Sequence, residues 1–196
     1  MKAVFTKPMI LKAAATMANG GYNGSVLQFV RTGDKLEICG TNAYVAVFGL
    51  VEAKFNRWAD GEGFRFNGAE VMALMRGTSK ALKNTDTVTV EVVKGAAICT
   101  LDVEGAAVST SFPYAEVRKP VNFDRLKETI KEGPDGRPQA VAAYFMGLAS
   151  NAMRTIAGFK YEGWVMKEHG LENPIEFIAK EEPARVVVMP QREGGR

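Results

Sequence analysis

The chain is poor in reactive side chains: its 196 residues hold one histidine and two cysteines. His169 sits beside Gly170 in a turn pattern, and Cys39 and Cys99 lie far apart, so no zinc-ligand spacing is formed and no metal is expected. No Ser or Cys has the Gly-x-Ser-x-Gly or strand–turn–helix context of a nucleophile. A phosphate loop is also missing, because Gly20-Gly21-Tyr22-Asn23-Gly24 follows a helical pattern instead of opening one and has no Lys-Ser/Thr ending. Glu181-Glu182 reads as a charged turn, since nothing sets an acid and a base across a cleft. These absences argue against an enzyme, so no catalytic residue and no cofactor is expected.

Long apolar runs are absent too. None reaches the roughly 18 residues of a membrane span, and Lys2 is not followed by the apolar core of a signal peptide. Cys39 and Cys99 fall at equivalent places in two apolar strand patterns and read as reduced core residues, which fits a cytoplasmic location. The net charge of +3 is too small an excess to identify a nucleic-acid binder. Folding a chain of this size buries about two thirds of its extended surface, so a core needs neither disulfide nor metal.

What is present is glycine, 20 residues of it, between short alternating runs. Pro8 to Phe55 sets the pattern. A helix over Pro8–Ala18 opens with Pro and stops at Gly20-Gly21. Val26–Val30 and Lys35–Cys39 then flank the hairpin turn Arg31-Thr32-Gly33-Asp34, and a third strand runs from Tyr44 to Ala53. The unit is one helix and three antiparallel strands.

A second copy follows the connector Arg57–Gly63, in which Trp58 reads as a packing residue and not a base-stacking platform. Phe64–Phe66 is a short strand, and Gly68–Arg76 is a helix with Val71, Leu74 and Met75 on one side. Strands follow at Val88–Val92, Ala97–Val103 and Ala107–Ser111. Lys35–Cys39 matches Gly95–Cys99, Lys35 falling on Gly95, and the helices align at the same step. Recurrence of one element order at one spacing predicts an internal duplication.

Phe112-Pro113-Tyr114 closes the second copy, a short helix is expected over Val121–Lys131, and Gly133–Pro138 is a loop. A third copy has a helix over Ala140–Ala157, with Phe145, Leu148, Ala149, Ala152, Met153 and Ile156 on its buried face. Its strands are Lys160–Met166, Ile175–Ala179 and Ala184–Met189. The fold class is therefore α+β, with antiparallel sheet on one face and helices on the other. Residues 1–116 form a domain of two units, 117–138 a linker with a short helix, and 139–196 a smaller domain of one unit. That last unit has a core near the lower limit of stability, so residues 121–131 or a partner subunit should complete it, and a homo-oligomer is expected.

Cations gather on the helices and just after them: Lys7, Lys12, Arg76, Lys80, Lys83 and Arg154. Brought to one face, they would make a phosphate surface that gives affinity without base specificity.

The early Ile10-Leu11-Lys12 helix, Lys35–Asn42 with its Thr41-Asn42, and Phe112-Pro113-Tyr114 resemble the first domain of a DNA polymerase sliding clamp. Asn173-Pro174-Ile175 and the ending Ala184–Arg192 are similar to the last strands of the bacterial beta clamp, whose tail runs Met-Pro-Met-Arg. The resemblance implies a DNA-clamp fold with helices lining a channel around duplex DNA, no catalytic residues, and a processivity role for a DNA polymerase. It also implies that Met189, Pro190 and Gln191 help form a pocket for short peptides of the polymerase or other replication proteins, Gln191 standing where the family has a second methionine. No membrane partner is implied. Three units where two full domains need four indicate a reduced form, such as one carried by a phage, prophage or other mobile element. The alternative is a clamp-fold interaction module that forms no ring.

Overall fold

The computed structural model describes residues 1–19, 25–78, 80–103, 106–116, 143–157, 163–168 and 174–189. The expected helix over Val121–Lys131, the Gly20–Gly24 loop, His169, Pro190 and Gln191 lie outside them.

The first unit is β1 (Lys2–Phe5), α1 (Pro8–Ala18), β2 (Val26–Thr32), β3 (Lys35–Thr41) and β4 (Val45–Asn56). The second is β5 (Gly63–Asn67), α2 (Gly68–Thr78), a 3-10 turn at Ala81–Lys83, β6 (Thr87–Val93), β7 (Ala96–Val103), β8 (Ala106–Pro113) and β9 (Ala115–Glu116). Each unit thus has a strand ahead of its helix. In the first unit that strand was not anticipated, because Lys-Ala-Val-Phe is too short to show an alternation. It has a large role: β1 pairs with β4 of its own unit and with β6 of the other, and β5 correspondingly joins β2 and β9. The order is β8-β7-β6-β1-β4-β3-β2-β5-β9, all antiparallel.

The ladders fix the true repeat. Lys35 opposite Glu52 recurs as Ala96 opposite Pro113, and Val26 opposite Thr41 recurs as Thr87 opposite Asp102, always at one and the same step. Lys35 therefore corresponds to Ala96 and not to Gly95. The sequence match falls a single position short, and in a strand that reverses the face of every side chain. Cys99 is consequently the counterpart of Ile38, inside the main core, whereas Cys39 points to the opposite face and packs with Phe48 and Val187. Both thiols are free and buried, and desolvation pushes Cys99 up to about 12 and Cys39 higher still.

The third unit has α3 (Ala143–Ala157), β10 (Trp164–Glu168), β11 (Ile175–Ala179) and β12 (Ala184–Val188). It does not rest on a core of its own. β12 pairs with Val45–Gly49 of β4, and Phe145, Ala149, Ala152, Met153, Ile156, Val186 and Val188 join the same apolar cluster as the first two units. Helix α3 lies against α1, which also touches α2, so α1 is the middle helix.

Two glycines let α1 sit down on the sheet. A Cβ at Gly40 would overlap the carbonyl of Ala14, and one at Gly49 would overlap Cγ2 of Ile10. Across the strands Gly49 lies between Ile38 and Ala184, so Ile10 occupies a slot at the seam of units one and three. Where the units meet at β2 and β5 the filling is aromatic instead: Phe29 stacks on Phe64 with centroids 5.1 Å apart, and Trp58 lies 5.5 Å from Phe64. Trp58 is buried and its Nε1–H donates to the Glu62 carbonyl at 2.8 Å, the packing role expected of it.

Gly40→Ala should destabilise the fold by about 1–3 kcal/mol, since a backbone carbonyl cannot rotate away from the new methyl. Gly147→Ala, in open space on α3, should instead stabilise by about 0.5–1 kcal/mol. Urea unfolding of both variants checks the contrast.

Candidate nucleic-acid interface

The three helices cover one face of the sheet, α3, α1 and α2 side by side, and they hold three of the six expected cations, Lys12, Arg76 and Arg154. On α1 the outward row is Met9, Lys12 and Thr16; on α3 it is Tyr144, Gly147, Asn151 and Arg154. Neither helix contains an acidic residue, and α2 contains one, Glu70. An Ala-rich α1 explains why so little of that helix is left for solvent: Ala13, Ala14, Ala15 and Ala18 are buried, being small enough to let neighbouring helices close on both sides.

The six cations do not form one set. Lys12 and Lys83 come together from α1 and the 3-10 turn, and partial burial together with the positive charge of Lys83 holds the Lys12 pKa below the ordinary lysine value. Arg76 and Lys80 are exposed at the end of α2 and beyond it. Arg154 is exposed on α3, donating to Asn151 Oδ1 at 2.9 Å. Lys7 is different. Its ammonium lies 2.8 Å from the Glu182 carboxylate, which tethers the β11–β12 turn to the start of α1. That ion pair gives Lys7 a structural contact beside its expected place in the phosphate-binding set.

The seam between β4 and β12 gathers a second group of residues. The Met189 N–H donates to the Tyr44 carbonyl at 2.8 Å, and the Tyr44 ring stacks on Phe145 with centroids 4.6 Å apart. Tyr44 is 43% exposed, Tyr144 58% and Met189 36%, so three large apolar side chains stand at one end of the seam. Sequence reasoning found Met189 alone, because Tyr44 joins it through strand pairing and Tyr144 only through the ring of Phe145, which both tyrosines touch.

Thr41-Asn42 has a structural role here. Asn42 is buried, its Oδ1 accepts from the N–H groups of Tyr44 and Val45, and Thr41 Oγ1 donates to the Val45 carbonyl, closing a turn in which Ala43 has φ 74°. This turn presents Tyr44. At the far end of the seam, a cleft of about 290 Å³ opens on the other face of the sheet among Lys35, Glu37, Phe48, Leu50, Pro183 and Arg185. The Arg185 guanidinium meets the buried Glu176 carboxylate there at 2.6 Å. No helix among the described residues is long and apolar enough to cross a membrane.

Removing Lys83 as alanine should return the Lys12 pKa toward its ordinary value. An NMR titration of the lysine side chains reads this directly, and an unmoved Lys12 would show that the two ammoniums do not interact.

No protein-family model matches the chain, and no curated protein sequence does. Solved structures do match. The DNA polymerase sliding clamp from Bacillus subtilis superposes with a TM-score of 0.58 at 10% identity, over 100% of this chain and 66% of that one. The DNA polymerase III beta subunit from Thermotoga maritima gives 0.56 at 9% identity, over 97% of this chain and 64% of that one. The PCNA2–PCNA3 complex from Sulfolobus tokodaii gives 0.54 at 11% identity, over 97% of this chain and 99% of the matched chain. The chain therefore spans just under two thirds of these bacterial clamps. Repeated strand–helix–strand units, one antiparallel sheet backing a layer of helices, and these superpositions together establish that the chain has the sliding-clamp fold.

Proposed function

We propose that the chain is a non-catalytic, clamp-like DNA-tethering factor that lies along duplex DNA without reading its sequence and assists a DNA polymerase. The observation that carries this reading is the division of charge between layers. The outward rows of α1 and α3 bear Lys12 and Arg154 without a carboxylate, and Arg76, Lys80 and Lys83 lie along the α2 side. Cations held on packed helices gain affinity by releasing phosphate counterions, and they do not select bases. Residues 1–116 then serve as one two-unit domain, 117–138 as linker, and 139–196 as a one-unit domain. The setting is the cytoplasm, as a homo-oligomer, in a replication system of phage or prophage kind.

Short peptides of the polymerase or other replication proteins dock at the seam. Their apolar anchors meet Met189, Tyr44 and Tyr144, and binding of the same peptides is the role proposed for Pro190 and Gln191. A second reading is a clamp-fold interaction module that closes no ring.

Three measurements decide. Lys12→Ala with Lys83→Ala should lower the slope of log affinity against log salt by about two, roughly one per lysine. Lys7→Ala should change it far less, and an unaltered slope in the double variant removes the helix layer from DNA binding. Retention on closed circular DNA at high salt, lost on linearisation, supports encirclement; equal release from both favours the interaction module. Met189→Ala with Tyr144→Ala should weaken a short apolar-anchored polymerase peptide tenfold or more in fluorescence anisotropy, with the mass of the assembly unchanged. Full affinity in that variant rejects the seam.

A further inference from the structure

The cleft at the far end of the β4–β12 seam, about 290 Å³ on the face of the sheet away from the helices, arises from the way β4 is shared. Val45–Gly49 of β4 pairs with β12, whereas Ala53–Asn56 pairs with β1. Pro183 has no N–H and ends the β12 ladder, its carbonyl accepting from the Leu50 N–H at 2.9 Å. Past that bond the sheet forks. The fork leaves Leu50 39% exposed beside the buried Phe48, so the cleft has an apolar floor. Every residue lining it belongs to the described part of the chain.

The lining carries charge of both signs. Arg185 is one member, and the buried Glu176 carboxylate holds its guanidinium at 2.6 Å. Glu182 is another, with its carboxylate 2.8 Å from the Lys7 ammonium. Lys35 and Glu37 come from β3, two residues apart and therefore on one face, with Cα atoms about 6.8 Å apart. Both are part-exposed.

These features narrow the ligand. The volume lies at the lower end of small-molecule pockets, roughly 300–1,000 Å³, too small to enclose a cofactor of nucleotide size. An apolar floor disfavours sugars and inorganic ions, which lose hydration there without a partner. Carboxylates beside cations disfavour a polyanion. What the lining complements is a small molecule with one charge of each sign next to an apolar group. We infer that the cleft binds a free apolar α-amino acid of the leucine class, its carboxylate toward Lys35 and Arg185, its ammonium toward Glu37, and its side chain over Phe48, Leu50 and Pro183. A carboxylate has about four lone-pair sites, so Glu37 can accept from the ammonium alongside another donor. Arg185 offers a planar fork already oriented by Glu176. The bound molecule touches β3 and β4 of the first unit and β12 of the third, and so ties one to the other. The site is separate from the helix layer and from the Met189 end of the seam, and it stands whether or not the chain holds DNA.

An NMR titration of the isotope-labelled full chain with L-leucine tests the assignment. The amides of Gly49, Leu50 and Ala184, all in the cleft wall, should move saturably with a Kd on the order of 1 mM, as befits a ligand this small. Glycine, which has no side chain for the floor, should not saturate. N-acetyl-L-leucine lacks the ammonium and L-leucinamide lacks the carboxylate; each should bind roughly fivefold more weakly, the contribution of a half-exposed charge pair. Glu37→Gln should weaken L-leucine but not N-acetyl-L-leucine, and Lys35→Ala should weaken L-leucine but not L-leucinamide, which assigns each charge to its partner. The comparison among ligands needs no variant and holds even if one fails to fold. Absence of saturable movement by ~10 mM leucine overturns the inference. So do equal affinities for leucine and its two derivatives, or movement centred on Tyr44 and Met189 in place of the cleft.

Discussion

The close seating of α1 on the sheet is the contact on which the remaining architecture depends. Gly40 and Gly49 remove the side chains that would hold the helix off, and Ala14 and Ile10 enter the spaces they leave. The same helix meets α3 on one flank and α2 on the other, and it covers the strand that carries β12. One helix therefore fastens three units. In the second unit Leu101 and Thr110 stand where the glycines stand in the first, so the backbone repeat is kept while the helix–sheet contact is not.

Charge is distributed by layer. Helices crowded against one another on a sheet have little free surface, and what remains on α1 and α3 is uncharged or positive. Lys12 has a lowered pKa because it is partly desolvated and faces Lys83, an arrangement that a bound phosphate would relieve. Lys7 belongs to another part of the design: its ion pair with Glu182 holds a turn of the third unit against the first helix.

Much of the fold was legible along the chain. The helix over Pro8–Ala18, the buried faces of α2 and α3, and the strands Lys35–Cys39 and Ile175–Ala179 follow from periodicity, capping and turn residues, the first of these strands running on to Thr41 in the structure. The candidate site was legible only as a list. Lys12 and Lys83 belong to different units of the chain, and Met189 meets Tyr44 through a ladder hydrogen bond. No local pattern records such pairings. The four-residue strand β1, which ties the two units together, was too short to carry an alternation of its own.

Sequence by itself determined the repeated unit, its approximate length and the sparing use of reactive side chains, because these are written in local spacing and composition. Tertiary structure decided the register. A repeat that sets Lys35 on Gly95 or on Ala96 fits the elements equally well along the chain, yet only the second lets the backbone ladders close with apolar side chains inward, and that choice sent Cys39 and Cys99 to opposite faces. Tertiary structure also decided which edge β12 fills. Hydrogen bonds between strands join residues distant in sequence, and their partners are selected by the packing of helices above them.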